Sequence, residues 1–183
     1  DCPCQIQFKI CCDIDRLTIG QIYVCRFDQF AGSIFFRLCS DAPPSRAVNT
    51  APDSPVWEDS CLECFLSADG QNYMNLEGNA NGAMLAAFGP DRHERKRLAE
   101  LGVPRPTLES LTCGKGWEAR YTVSRETLEA LFGTVPAAGL RLYANFYVCG
   151  DKTPLPCYGA WNDVETATPD FHRPEFFGTL ILV

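Results

Sequence analysis

Two tryptophans stand where a core aromatic would be badly placed. Trp57 lies in Asp53-Ser54-Pro55-Val56-Trp57-Glu58-Asp59-Ser60 and Trp161 in Tyr158-Gly159-Ala160-Trp161-Asn162-Asp163, both turn-like and polar. Removing an indole from water is worth on the order of 2–3 kcal/mol, so a ring held in a loop gains by meeting a flat, half-apolar ligand. A pyranose ring is such a ligand, with C–H groups on its face and hydroxyls around its edge. The third tryptophan, Trp117, alternates with Ala119, Tyr121 and Val123 and reads as core.

The polar partners for such a ligand come from strand-like alternation. In residues 60–66, Leu62, Cys64 and Leu66 share one side and Glu63 takes the other. In 73–79, Asn75, Glu77 and Asn79 share a face opposite Met74 and Leu76. In 140–148 the polar row is Arg141, Tyr143, Asn145 and Tyr147, opposite Leu140, Leu142, Ala144, Phe146 and Val148. Carboxylates, amides, a guanidinium and phenols can donate to and accept from vicinal hydroxyls, the charged groups most strongly. The expected cleft therefore has Trp57 and Trp161 as plates over a floor of Glu63, Asn75, Glu77, Asn79, Arg141 and Asn145.

These rows require a sheet. A period of two recurs at 5–10, 21–27, 32–38, 60–67, 72–79, 82–88, 116–123, 140–149 and 177–183, separated by Asp69-Gly70, Asn81-Gly82, Gly89-Pro90 and Gly150-Asp151. One helix is expected over 124–133, with Ser124 as cap and Gly133 as stop, and a second over 91–101. Many short strands and few helices predict an all-β fold, a β-sandwich of jelly-roll character, as a single domain over 1–183.

Composition excludes several functions. With 46% hydrophobic and 21% charged residues and a formal net charge of −7, no nucleic-acid partner is expected. The basic run Arg92-His93-Glu94-Arg95-Lys96-Arg97 reads as a solvated helical face. No apolar stretch approaches the roughly 20 residues that span a bilayer, so no membrane partner is expected. The start, Asp1-Cys2-Pro3-Cys4-Gln5, has neither the charged nor the apolar segment of a signal peptide.

The 11 cysteines are odd in number and mostly embedded in apolar runs, which favours reduced thiols and a cytoplasmic setting. Cys61 and Cys64 have metal-like spacing, but three residues apart on a strand they face opposite sides. Cys2 and Cys4 share a face and, with Cys11 or Cys12, could bind zinc or pair.

At the Trp57 segment the chain resembles a known family. Trp57-Glu58-Asp59-Ser60 with Glu63 and Phe65, then Tyr73-Met74-Asn75-Leu76-Glu77-Gly78-Asn79, are similar to successive segments of family-nine carbohydrate-binding modules and their DOMON-type relatives. The ending, Tyr158-Gly159-Ala160-Trp161 followed by Pro169-Asp170-Phe171-His172-Arg173-Pro174-Glu175-Phe176-Phe177-Gly178, is similar to the same group. The resemblance implies a non-catalytic β-sandwich in which two tryptophans clamp the terminal sugar of a glucan or xylan chain. Trp57 and Trp161 match the clamp, Glu63 the acid six positions on, and Asn75, Glu77, Asn79 and Asn145 polar strand positions.

It also implies structural calcium as the one cofactor to consider, although no loop spells a calcium site. Two alternatives remain at this stage. One is a haem-binding electron-transfer module of DOMON type, with Met74 or Met84 and His93 or His172 as axial ligands. The other is a glycoside-acting enzyme using Glu63 and Glu77. For His172 itself the expected role is a structural hydrogen bond.

Overall fold

A computed structural model of the chain describes residues 5–7, 20–28 and 32–182, the first two segments as backbone only. Twelve strands and one helix are present among them: β1 (Gln5–Gln7), β2 (Gly20–Asp28), β3 (Ser33–Ser40), β4 (Cys61–Ser67), β5 (Tyr73–Asn79), β6 (Met84–Gly89), β7 (Lys96–Arg97), β8 (Thr107–Cys113), β9 (Gly116–Val123), α1 (Arg125–Phe132), β10 (Arg141–Cys149), β11 (Gly159–Ala160) and β12 (Gly178–Ile181). They form two antiparallel sheets. The smaller runs β1-β2-β3-β9-β8 and the larger β11-β10-β4-β5-β6-β7, with β12 also on β10. This is the expected β-sandwich.

The sheets face each other across the apolar halves of their strands. Ile34, Phe36 and Leu38 of β3 and Trp117, Ala119, Tyr121 and Val123 of β9 meet Leu62, Cys64, Leu66, Met74, Leu76 and Phe146 of the larger sheet. Trp117 is core, as its alternation predicts. The Tyr121 hydroxyl donates to the Leu62 carbonyl, which ties the sheets together through a polar group buried with its partner. Helix α1 starts at Ser124, whose side chain accepts from the Thr127 N–H, and stops at Gly133 in the left-handed region (φ 62°). Its Leu128 closes one end of the core.

Two expectations fail here. Residues 91–101 are not helical. Asp91 accepts from the N–H groups of His93 and Glu94 at 2.7 and 2.8 Å, which closes a tight turn in place of a first helical turn. Lys96 and Arg97 then pair with Phe88 and Ala87 as a short edge strand, β7. Second, β8 lies where no strand is expected. Thr107-Leu108-Glu109-Ser110-Leu111-Thr112 shows no clean alternation, and pairing with β9 along seven residues supplies the order.

The cysteines divide. Cys39, Cys61, Cys64, Cys113 and Cys149 are not disulfide-bonded. Cys157 is disulfide-bonded, a departure from the reduced thiol favoured for it. Cys2, Cys4, Cys11 and Cys12 lie outside the described residues. Among the described residues no group of three or more His, Cys, Asp or Glu side chains converges as a metal site requires, and no helix is long and apolar enough to cross a membrane.

Candidate functional site

The outer face of the larger sheet carries a cavity of about 350 Å³, lined by Trp57, Glu63, Glu77, Arg92, Arg95, Cys149, Asp151, Tyr158, Pro169, Phe171 and His172. That volume is at the lower end of the roughly 300–1,000 Å³ typical of small-ligand sites.

Its floor follows from strand register. Glu63 on β4 and Glu77 on β5 are directly opposite each other, on the face turned away from the core. They are 3% and 2% exposed. Arg95 Nη1 lies 2.9 Å from Glu77 Oε1, and the Asn75 amide donates to the same oxygen at 2.7 Å. The guanidinium is thus bonded to Glu77, while Glu63 feels only its charge. Burial and the neighbouring Glu77 push Glu63 well above the usual carboxylate range, against a hydrogen bond from the Cys149 thiol. Burial also raises Glu77, while Arg95 opposes the rise. Both carboxyls are thus biased toward the protonated form, Glu63 more strongly than the arginine-paired Glu77.

Arg95 reaches Glu77 because of Gly89. A Cβ there would lie 2.5 Å from the Arg95 Cα, so only glycine lets the 90–95 turn fold back on β6. The basic run is neither helical nor wholly solvated: Arg92, His93, Glu94 and Lys96 are exposed, but Arg95 is on the floor, and Arg92 pairs with Asp170 at 2.8 Å on the rim.

Trp57 is held by a different device. It sits in a 3-10 turn, Val56–Glu58, whose Val56 is fully buried. The next residue, Asp59, accepts from the backbone of Val48 and Asn49 and from the side chains of Asn49 and Asn79, and its other oxygen lies 3.0 Å from Arg46 Nε. Burial alone would raise the Asp59 pKa; those hydrogen bonds bring it below its ordinary value. The loop after β10 adds two clasps, Asp151 N–H to the Trp57 carbonyl and Lys152 N–H to the Glu58 carbonyl. The half-buried indole, like Tyr158 and Phe171, packs against a buried cluster that includes Val56, Cys61 and Cys149.

The remaining wall is aromatic and histidine. Phe171 stacks on Tyr147 with centroids 4.1 Å apart, and Tyr158 meets its edge at 6.3 Å. His172 Nδ1 lies 2.7 Å from the Tyr73 hydroxyl, the structural hydrogen bond expected of it. Burial, with Arg95, Arg92 and His93 nearby, lowers its pKa to about 2, so the ring is neutral.

Of the expected site residues, Trp57, Glu63 and Glu77 meet at this cavity and Asn75 supports Glu77. The others go elsewhere. Trp161 continues the β10–β11 ladder through its N–H to the Phe146 carbonyl. That register turns its ring inward, onto Phe146 at 5.6 Å, where a Cβ on Gly178 would come within 2.7 Å of it. The two tryptophans do not face each other across the cavity.

Asn79 uses its amide on Asp59 and on the Asn49 carbonyl, and its oxygen on the N–H groups of Asn81 and Ala83. Asn145 is spent likewise on Asn162, Phe146 and Phe176. Arg141 is exposed at the far end of β10, paired with Ile181. Arg92, Arg95, Asp151, Tyr158, Phe171 and His172 are cavity residues that sequence reasoning did not nominate.

The haem candidates are not assembled: Met74 and Met84 belong to the core between the sheets, while His172 lies on the outer face and His93 is exposed.

The model of carbohydrate-binding family 9 matches residues 34–182, so the chain belongs to that family, which is non-catalytic. Solved structures agree with the fold. A candidate carbohydrate-binding protein from Bacteroides uniformis ATCC 8492 is 25% identical, with a TM-score of 0.75 over 98% of this chain and 85% of that one. A family 9 module from Caldicellulosiruptor kristjanssonii, in complex with glucose, is 12% identical, with a TM-score of 0.63 over 93% of this chain and 80% of that one. The same organism's module in complex with cellotriose is 13% identical at TM-score 0.63, covering 93% and 77%. No match is found among curated proteins.

Proposed function

We propose that the chain binds a saccharide, without transforming it, in the cavity on the outer face of the larger sheet. The observation that carries this reading is the placement of the half-buried Trp57 indole beside Glu63, Glu77, Arg95 and Asp151 in a cavity of about 350 Å³. An apolar ring face meets the indole, and the hydroxyl edge meets the carboxyls and guanidinium. Tyr158 and Phe171 supply the further apolar surface for which Trp161 was a candidate. Asn79, Asn145 and Arg141 hold the scaffold or lie away from the ligand. Membership of carbohydrate-binding family 9 supports the reading, as do fold neighbours in complex with glucose and with cellotriose.

Calorimetric titration with glucose, cellobiose, cellotriose and xylo-oligomers tests it. Binding by the unaltered chain, abolished or weakened at least tenfold in Trp57→Ala and unchanged in Arg141→Ala, is the expected result. Absence of heat with every sugar, or binding indifferent to Trp57, overturns it.

A further inference from the structure

Tyr73 is on β5, on the outward face with Glu77, and is fully buried. Its hydroxyl has one partner among the described residues, His172 Nδ1, at 2.7 Å. A phenol carries one proton and a neutral imidazole carries one on a single nitrogen. If Nδ1 held the ring proton, it would donate to the phenol oxygen and the buried O–H would be left without an acceptor. Leaving a buried donor unpaired costs about 1–3 kcal/mol. If the phenol donates instead, Nδ1 accepts, every group at the contact is satisfied, and the imidazole proton sits on Nε2. Phe65 packs against the ring at 5.1 Å and Tyr73 at 5.9 Å, which fixes its plane, and the backbone N–H of His172 donates to Asp170 Oδ1 at 3.2 Å.

No hydrogen bond engages Nε2 among the described residues, and His172 lines the cavity while Tyr73 does not. We propose that Tyr73 locks His172 as the Nε2–H tautomer and that this N–H is a direct donor to a ligand oxygen in the cavity. The second half rests on the saccharide reading above.

The consequence is a sorted cavity. His172 stands with Arg92 and Arg95 as donors, while Glu77 and Asp151 are acceptors, with Glu63 between them. Because the two arginines are already paired with Glu77 and Asp170, His172 adds directionality without adding charge. The ligand atom opposite it is an acceptor: a ring or glycosidic oxygen, or a hydroxyl whose proton points to the acidic side. Tyr73 is the positioning residue and His172 the contact.

The test has two arms. In the first, the ¹⁵N spectrum of the ligand-free chain is recorded with the imidazole labelled. The expected pattern is a protonated Nε2 and a pyridine-like Nδ1, constant from pH 7.5 down to 5. In Tyr73→Phe the two nitrogens should move toward each other as the tautomers mix. A dominant Nδ1–H form, or a midpoint near 6.5, overturns the lock.

In the second arm, glucose and cellotriose are titrated into the unaltered chain, His172→Gln and His172→Phe. His172→Phe should lose about tenfold in affinity, the upper end for one neutral hydrogen bond, and His172→Gln, which keeps an N–H, should lose less. Unaltered affinity in His172→Phe, with its melting temperature preserved, overturns the contact. If the unaltered chain binds neither sugar nor any other of the panel, the saccharide reading and the contact fall together, and the spectrum alone decides the lock.

Discussion

On β4, Leu62, Cys64 and Leu66 turn inward while Glu63 and Phe65 turn outward, and all five are buried. The same holds on β5, where Met74 and Leu76 oppose Tyr73, Asn75 and Glu77. The inner face is dry because another sheet covers it. The outer face is dry because the loop before β4, the 90–95 turn and the long segment after β10 fold over it. A sheet-on-sheet contact needs only complementary apolar volume. A loop-covered face contains backbone and polar groups that must be individually paired, and this one leaves a cavity where they converge. The inner face should therefore govern stability, and the outer face should govern binding and its response to pH.

The largest effect should come from the inner face. Phe146→Ala removes a ring that contacts both Phe36 and Trp161 in the core. The expected loss is about 3–5 kcal/mol of unfolding free energy, read by urea denaturation. Arg95→Met is the outer-face counterpart, since it strips the cation from a carboxylate that is almost wholly buried. A loss of about 3 kcal/mol is expected, and adding Glu77→Gln should recover most of it by removing the stranded charge. If the double variant is no more stable than Arg95→Met alone, the outer face is held by packing, as the inner one is, and the contrast collapses.

The tryptophans sharpen the same contrast with smaller changes. Trp57→Ala should alter stability by only about 1 kcal/mol while weakening glucose or cellotriose binding by roughly tenfold to a hundredfold, the worth of a stacked aromatic wall. Trp161→Phe should leave affinity within about twofold and show its cost in melting temperature, as a core substitution does. Reversed results would move the ligand to the other tryptophan.

How much of this was legible beforehand follows from the same division. Alternation fixes which side of a strand a residue takes, so Glu63, Asn75 and Glu77 were correctly set apart from Leu62, Met74 and Leu76. Alternation does not say which outward residues a ligand can reach. Asn79 and Asn145 have the right parity, but their amides are consumed in holding turns. In the sequence, Tyr158-Gly159-Ala160-Trp161-Asn162 reads as a loop, which carries no parity for the Trp161 ring. Pairing of Gly159 and Ala160 with β10 extends strand parity by one residue and sends the indole inward. Arg95 had an available signal, the Gly89-Pro90-Asp91 punctuation before it, which argues a turn folding back on β6 and against a helix. Phe171 and His172 reach the cavity from about 100 residues beyond β5, and no local pattern encodes such a distance.

The subtlest test concerns Glu63, because its burial has a sign. Its pKa in the folded chain is raised, so the folded state holds the proton more tightly than the unfolded one. Its contribution to stability is then fully present below the unfolded value and is lost as pH rises through the folded value. Asp59 runs the other way: with its pKa lowered, its contribution is present above the unfolded value and is lost as pH falls through the folded one. Glu63→Gln, an uncharged near-isostere of the protonated acid, should leave stability almost unchanged at low pH. It should become the more stable form as pH rises above the unfolded pKa of Glu63, diverging by at most about 1.4 kcal/mol per pH unit, the slope of a single proton, until the folded pKa is passed. Urea midpoints of both proteins between pH 4 and 9 measure this. A constant difference across that range would mean that Glu63 holds its proton no more tightly in the folded chain than in the unfolded one. A divergence toward acid would mean it is ionised at neutral pH, and Arg95 would then serve both carboxylates rather than Glu77 alone.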